Sequence, residues 1–282
     1  MALSRKQVAM TNYPYFKYSL DYTLDSLQRL GAEAIELYAV DPHFHIDDCD
    51  IPQAMAMKKK LRDHGLRPIC ITPEQVKYPI NIASESVTCR KRSLDVYTKV
   101  IQFANILESP TVQFFAGWCP IDEREKKYEE YWKRSAEAFS YLGDLAAGYG
   151  VTIVIESADQ NLTVLDGTDK AGKMIREVNN PAVQGMIDSL WLVVNHETVE
   201  QAIQNLGAEH FRHFHFTDAK TDHIEFNHII PGDGGMDLPH ILEVLNQIDY
   251  QGYLSMELLE PYEKEPEQAM KKAVEWMFQH IQ

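Results

Sequence analysis

The chain has 282 residues, enough for one α/β barrel, which takes about 250, and with 45% hydrophobic residues it can bury a large core. Its formal net charge of −15 excludes nucleic-acid binding through a basic face and disfavours a highly anionic substrate, so a neutral sugar-like molecule suits it better.

Short apolar runs alternate with helical patterns from end to end. The first strand is expected at 7–11. A helix follows at 20–30, with Leu24, Leu27 and Leu30 on one face. A strand at 34–39 leads to a helix at 51–64, closed by Gly65 as a C-terminal cap. Strand 67–72 precedes helix 87–107, strand 111–116 precedes helix 127–149, and strand 151–156 precedes helix 168–178. Strand 183–188 precedes helix 197–206. Strand 211–218 precedes helix 238–248, opened by Asp237, and strand 252–258 precedes helix 266–281, opened by Glu265. Runs such as VTIVIE and TVQFFA are apolar nearly throughout, as strands of a parallel sheet buried on both faces are. Eight β-then-α units with no hairpin signal predict an α/β fold, a single (β/α)8 TIM barrel over residues 1–282. The rival, a doubly wound open sheet, usually carries a glycine-rich turn after its first strand; here TNYPYFKYS has no glycine.

Cys49, Cys70, Cys89 and Cys119 show no C-x-x-C spacing and read as reduced thiols of a cytoplasmic protein. The N-terminus lacks an apolar signal region, and no stretch reaches 18 apolar residues, so no membrane association is expected.

A barrel carries its active site at the C-terminal ends of its strands. Strand five ends in Glu156 and strand six in Asp188. Strand seven offers His213, His215 and Asp218, and strand eight places Glu257 near its end. Any one such carboxylate is ordinarily a helix cap, and a strand histidine is ordinarily a satisfied core residue. Four neighbouring strand ends of this kind would repel one another unless a cation neutralised them. Two glutamates, one aspartate and one histidine form an oxygen-rich set that suits one divalent ion, Mn²⁺ with Mg²⁺ or Co²⁺ as variants, better than structural zinc.

The segments GAEAIELY (31–38), ITPEQVKYPIN (71–81), IVIES (153–157), GMIDS (185–189), FRHFHFTDA (211–219), HIIPGDGGMDL (228–238) and GYLSMEL (252–258) resemble the xylose isomerase-like sugar phosphate isomerase/epimerase superfamily, and within it the fructoselysine 3-epimerase and ketose 3-epimerase branches. The resemblance implies Glu156, Asp188, His215 and Glu257 as metal ligands, with His228 at the substrate or beside the metal. It implies a metal-dependent isomerase or epimerase that deprotonates a carbon next to the carbonyl of a ketose or fructosamine-type substrate, with Glu156 and Glu257 exchanging the proton. It also implies a homo-oligomer, a dimer or tetramer. Around the pocket His43, beside Glu36, is expected from the second strand end, with Glu74, Tyr78 and Asn81 from the third. Trp118 and Trp191 would be aromatic platforms for the sugar. The sequence departs from the ketose 3-epimerase pattern where Leu162, Trp191 and Thr221 replace a glutamate, a histidine and an arginine that grip substrate. A lyase on the same scaffold, a dehydratase or an enzyme cleaving 3-oxo-glycosides, is the alternative. Endonuclease-IV-like hydrolysis needs more histidines, and a non-catalytic sugar-binding barrel would not need all four ligands.

Overall fold

The computed structural model of the protein describes residues 2–76 and 79–281. Its eight strands are β1 (Val8–Thr11), β2 (Ala34–Ala39), β3 (Arg67–Pro73), β4 (Thr111–Phe115), β5 (Thr152–Glu156), β6 (Val183–Asp188), β7 (Phe211–His215) and β8 (Tyr253–Met256). They pair in chain order, all parallel, and β8 returns to β1, so the sheet is a closed (β/α)8 barrel. The burial of β5, β6 and β8 explains their apolar composition: strands inside a ring of helices meet no water on either face.

The described helices are α1 (Leu20–Arg29), α2 (Ile51–Asp63), α3 (Val87–Leu107), α4 (Arg124–Tyr149), α5 (Thr168–Val178), α6 (Ser189–Val194), α7 (Val199–Leu206), α8 (Leu238–Gln247) and α9 (Pro266–His280). Side chains open several of them: Ser19, Asp50, Ser86, Thr198 and Asp237 each accept a first-turn amide. Between barrel and helices lies one continuous core, in which Phe114, Phe139, Phe214 and Phe216 are wholly buried. Each such ring contributes roughly 1.5–3 kcal/mol relative to exposure.

Several elements differ from expectation; the eighth strand, for one, ends at Met256 rather than at 258, which leaves Glu257 just beyond it. The seventh strand stops at His215 rather than at 218, because the chain then leaves the barrel and Asp218 pairs with Ile229 across a long loop. The short helix α6 was not expected at all; Asp188 caps it through the amide of Leu190 at 2.7 Å. Among the described residues no helix is long and apolar enough to cross a membrane.

Candidate active site

The strand tips define the floor of a cavity of about 800 Å³ at the C-terminal mouth of the barrel. Glu156, Asp188 and Glu257 come from the ends of β5, β6 and β8, and His228 from the loop between β7 and α8. His215, at the end of β7, is buried beneath them. Its Nδ1 lies 2.6 Å from Glu257 Oε2, 3.6 Å from Asp188 Oδ2 and 4.0 Å from Glu156 Oε1. His228 Nε2 lies 3.0 Å from Asp188 Oδ2 and 3.2 Å from Glu257 Oε2. The sequence-derived residues Glu156, Asp188, His215, Glu257 and His228 are therefore brought together around one point.

Two atoms of this cluster are buried with no hydrogen-bond partner: His215 Nδ1 and Glu257 Oε2. Their 2.6 Å separation is short, yet the geometry is not that of a hydrogen bond. A buried polar atom left unpaired costs about 1–3 kcal/mol, so two aimed at each other call for a group that both can bind. Three carboxylates and an imidazole nitrogen are a donor set for a hard or borderline divalent cation. The groups suit such an ion.

The electrostatics agree with that donor set. The Glu156 carboxyl is pushed well above the usual range by burial, and Asp188 and Glu257 add to the effect against the opposing pull of His215. For Asp188 burial acts upward, but the His228 and His215 imidazoles outweigh it and hold its pKa far down. Burial lowers His228, yet Glu257 and Asp188 lift it to about 10. His215 is likewise raised, burial being outweighed by Glu257 and Glu36.

Below the tips the barrel interior is polar where branched apolar residues usually fill it. Glu36, wholly buried on β2, takes His213 Nε2 at 2.7 Å on one oxygen, and His215 Nε2 at 3.0 Å and Thr72 Oγ1 at 2.7 Å on the other. A carboxylate only accepts, so both histidines donate from Nε2. That fixes the His215 tautomer: in the neutral ring it is Nδ1 that carries the lone pair, facing the cluster. The Glu36 carboxyl is held well below the ordinary range: burial acts against ionisation, and the two histidines prevail.

Glu156 is held from outside the cluster. The amide of Phe115 and the hydroxyl of Tyr97 both donate to Gln75 Oε1, at 2.8 and 2.6 Å. Gln75 Nε2 must then donate, and does so to Gln113 Oε1 at 2.6 Å. Gln113 Nε2 in turn donates to Glu156 Oε2. One backbone amide thus sets the direction of the whole relay. Trp191 Nε1 donates to the other oxygen of Glu156 at 3.1 Å.

The remaining expected residues divide. Glu74 lines the cavity and accepts from the Tyr38 hydroxyl; Tyr38 stacks on Tyr13 at 4.2 Å. Trp191 lines the cavity, but its N–H is spent on Glu156. His43 is not part of the lining. It accepts from Asn12 Nδ2 at 2.7 Å and donates to the Tyr18 carbonyl at 3.0 Å, so it holds the Asn12 side chain that bonds the Tyr38 backbone. Asn81 is buried and ties two loops together through the carbonyl and amide of Trp118 at 2.9 and 3.1 Å. Trp118 itself points to solvent, outside the lining. Tyr78 lies outside the described residues. Asp218 turns from the cluster: its carboxylate accepts the amides of Ala219, Gly232, Gly234 and Met236 at 2.8–3.0 Å. Gly232 has φ 91°, and a side chain at Gly234 would collide with that carboxylate, which explains these two glycines of HIIPGDGGMDL. Sequence reasoning missed Gln75, Gln113 and Tyr97; the one available signal was an amide inside the apolar run TVQFF.

The profile of the xylose isomerase-like TIM barrels matches residues 24–280. The chain belongs to this family. Fructoselysine 3-epimerase of Shigella flexneri is 25% identical over 261 residues, which span 91% of each chain. Two solved members of the same fold superpose on this xylose isomerase-like chain. A D-psicose 3-epimerase from Clostridium cellulolyticum H10, determined with D-tagatose, gives a TM-score of 0.78 at 18% identity over 97% of this chain and 98% of that one. The IOLI protein, determined with a zinc atom, gives 0.78 at 18% identity over 97% of both.

Proposed function

We propose that this protein is a metal-dependent sugar epimerase or isomerase that removes a proton from a carbon beside a carbonyl. The observation that carries the reading is the pair of unpartnered buried atoms, His215 Nδ1 and Glu257 Oε2, facing Glu156 and Asp188 on the floor of a cavity large enough for a sugar. Membership of a family with a fructoselysine 3-epimerase relative supports it.

Glu156, Asp188, His215 and Glu257 would hold one divalent ion, Mn²⁺ on the chemistry of the donors. Such an ion, when bound, supplies positive charge for the oxyanion that develops as the neighbouring carbon loses its proton. Glu156 and Glu257 stand on β5 and beyond β8, with β6 and β7 between them. A planar substrate between the two would present one face to each. One carboxylate takes the proton and the other returns one, so the carbon inverts. Gln113 and Trp191 hold both oxygens of Glu156 in place, whereas Glu257 Oε2 has no donor, so the two glutamates have unequal freedom to move a proton.

No Lys or Arg lines the cavity among the described residues, while Asp41, Glu74, Asp159 and Glu260 do. A phosphate would meet repulsion there without a partner, which favours an unphosphorylated sugar. Incubation with manganese and candidate ketoses in D₂O tests the reading. Deuterium should enter the substrate at the reacting carbon, and Glu257→Gln should abolish it. Absence of exchange across ketoses and fructosamines overturns it.

A further inference from the structure

Polar and apolar groups share the lining of the cavity among the described residues, and four large apolar side chains fall together. Tyr38, Thr72, Glu74 and Gln75 line the side formed by β2 and β3. The opposite side, formed by the segments after β5, β6 and β7, presents Leu162, Leu190, Trp191 and Phe226 beside the polar Asp159, Asn161, Asn227 and His228. The four apolar residues, with Phe115, make one apolar surface that begins at the reacting carboxylate. Trp191 is pinned there by its N–H on Glu156 Oε1 at 3.1 Å and stands edge-on to His228, with ring centroids 6.5 Å apart. Phe226 extends the surface outward, its ring 6.0 Å from Trp191, and remains 56% exposed.

Such a surface is a poor neighbour for hydroxyl groups. The Trp191 N–H is its one hydrogen-bonding group, and that is already used. Asp159, Asn161 and Asn227 line the same side, where Asn161 is bonded to Asp159 and Asn227 to Glu225. A hydroxyl placed against these four side chains would lose water and gain no partner from them. A large phenylalanine left half in water at the mouth of a cavity gains by being covered. The cavity, about 800 Å³, lies in the upper part of the range that encloses drug-sized ligands.

From these features we infer that the Leu162–Leu190–Trp191–Phe226 wall is a subsite for an aromatic or alkyl group. The substrate is then a keto-sugar carrying an apolar substituent beside its reacting carbon, with its hydroxyls on the β2–β3 side. The sugar half of this inference rests on the function proposed above; the apolar half stands on the wall alone.

The test is calorimetric binding of 1-O-benzyl-D-fructose and 1-O-methyl-D-fructose to the manganese-loaded protein, with deuterium exchange followed on the same two compounds. The benzyl ether should bind at least about tenfold more tightly, since even one methylene in an apolar pocket is worth about 10–200-fold. Phe226→Ala should shrink that preference towards unity, and Leu162→Asn should shrink it independently; Phe226 is exposed enough that its truncation leaves the fold intact. Equal affinity for the two ethers, a preference that survives both substitutions, or no binding of either overturns the subsite. A benzyl preference without deuterium exchange supports the subsite and counts against the enzyme reading alone. Exchange on both ethers without a preference does the reverse.

Discussion

Glu36 sits a full layer beneath the cavity, yet it decides which nitrogen of His215 faces upward. Its two oxygens accept from His213, His215 and Thr72, a load that an amide cannot carry, because half of the amide is a donor. Glu36→Gln is therefore expected to weaken manganese binding by about 10–100-fold, the usual cost of losing a partner behind a metal-bound histidine. Titration calorimetry on the purified variant checks it, and unchanged affinity would show that His215 needs no such support. The relay to Glu156 gives a second expectation. Gln113→Leu removes the donor to Glu156 and strands the Gln75 amide, so it should cost about 1–3 kcal/mol of stability by denaturant melting and slow exchange at the substrate carbon. Protons would compete with an ion at this site. Glu156, His215 and His228 all hold their protons more tightly than the free side chains do. Groups whose pKa is raised must be stripped of protons before they bind metal, so apparent affinity should climb as pH rises through neutrality. Calorimetry in buffers of different ionisation enthalpy would register proton release on binding; affinity that is flat from pH 6 to 8 would contradict this.

At the scale of elements, the loop between β7 and α8 is held by Asp218 as well as by the buried Ile229 and Ile230. One carboxylate satisfies four backbone amides, and the Asp218–Ile229 bridge closes the loop just beyond His228. Hydrogen bonds to a charged group are worth roughly 1.5–3 kcal/mol each and are not additive. Asp218→Ala should thus destabilise the protein by about 3 kcal/mol or more, with the loop amides losing hydrogen-exchange protection before the barrel does. In the sequence Asp218 read as one more ligand-type strand end, because spacing alone cannot distinguish a carboxylate aimed at a cavity from one aimed at its own loop. Helix α6 was illegible for a related reason. SLWLVV is apolar all round and six residues long, so it has no period to detect. The eight strands were legible because each is a short, largely apolar run followed by a helical pattern, and Glu156, Asp188 and Glu257 were legible because charge interrupts those runs. Gln113 interrupts one too, but an uncharged amide carries a weaker signal. His43 and Asn81 were found as polar residues near strand ends, yet both are engaged in fastening loops.

The molecule as a whole gathers part of its net charge of −15 where its strands converge. A bound cation relieves that repulsion only in the folded state, so it should stabilise the fold by mass action. At a free metal concentration a hundred times Kd the gain is about 2.7 kcal/mol. For a chain somewhat above 250 residues each kcal/mol moves Tm by roughly 2 °C or slightly more. Chelation should therefore lower Tm by about 5 °C, and restored manganese should return it; a melting curve indifferent to chelator would argue that these carboxylates and histidines satisfy one another without an ion.

The Asp218 clasp has a consequence for how this barrel could change its diet. Residues 222–227 hang between the end of the barrel and an anchored return, with His228 on the anchored side. Side chains on that span, Phe226 among them, can be exchanged without unseating the imidazole that meets Asp188. A library confined to those six positions would vary what the mouth admits while the reacting groups stay put, which makes this short overhang the natural place to retrain the protein towards a new partner molecule.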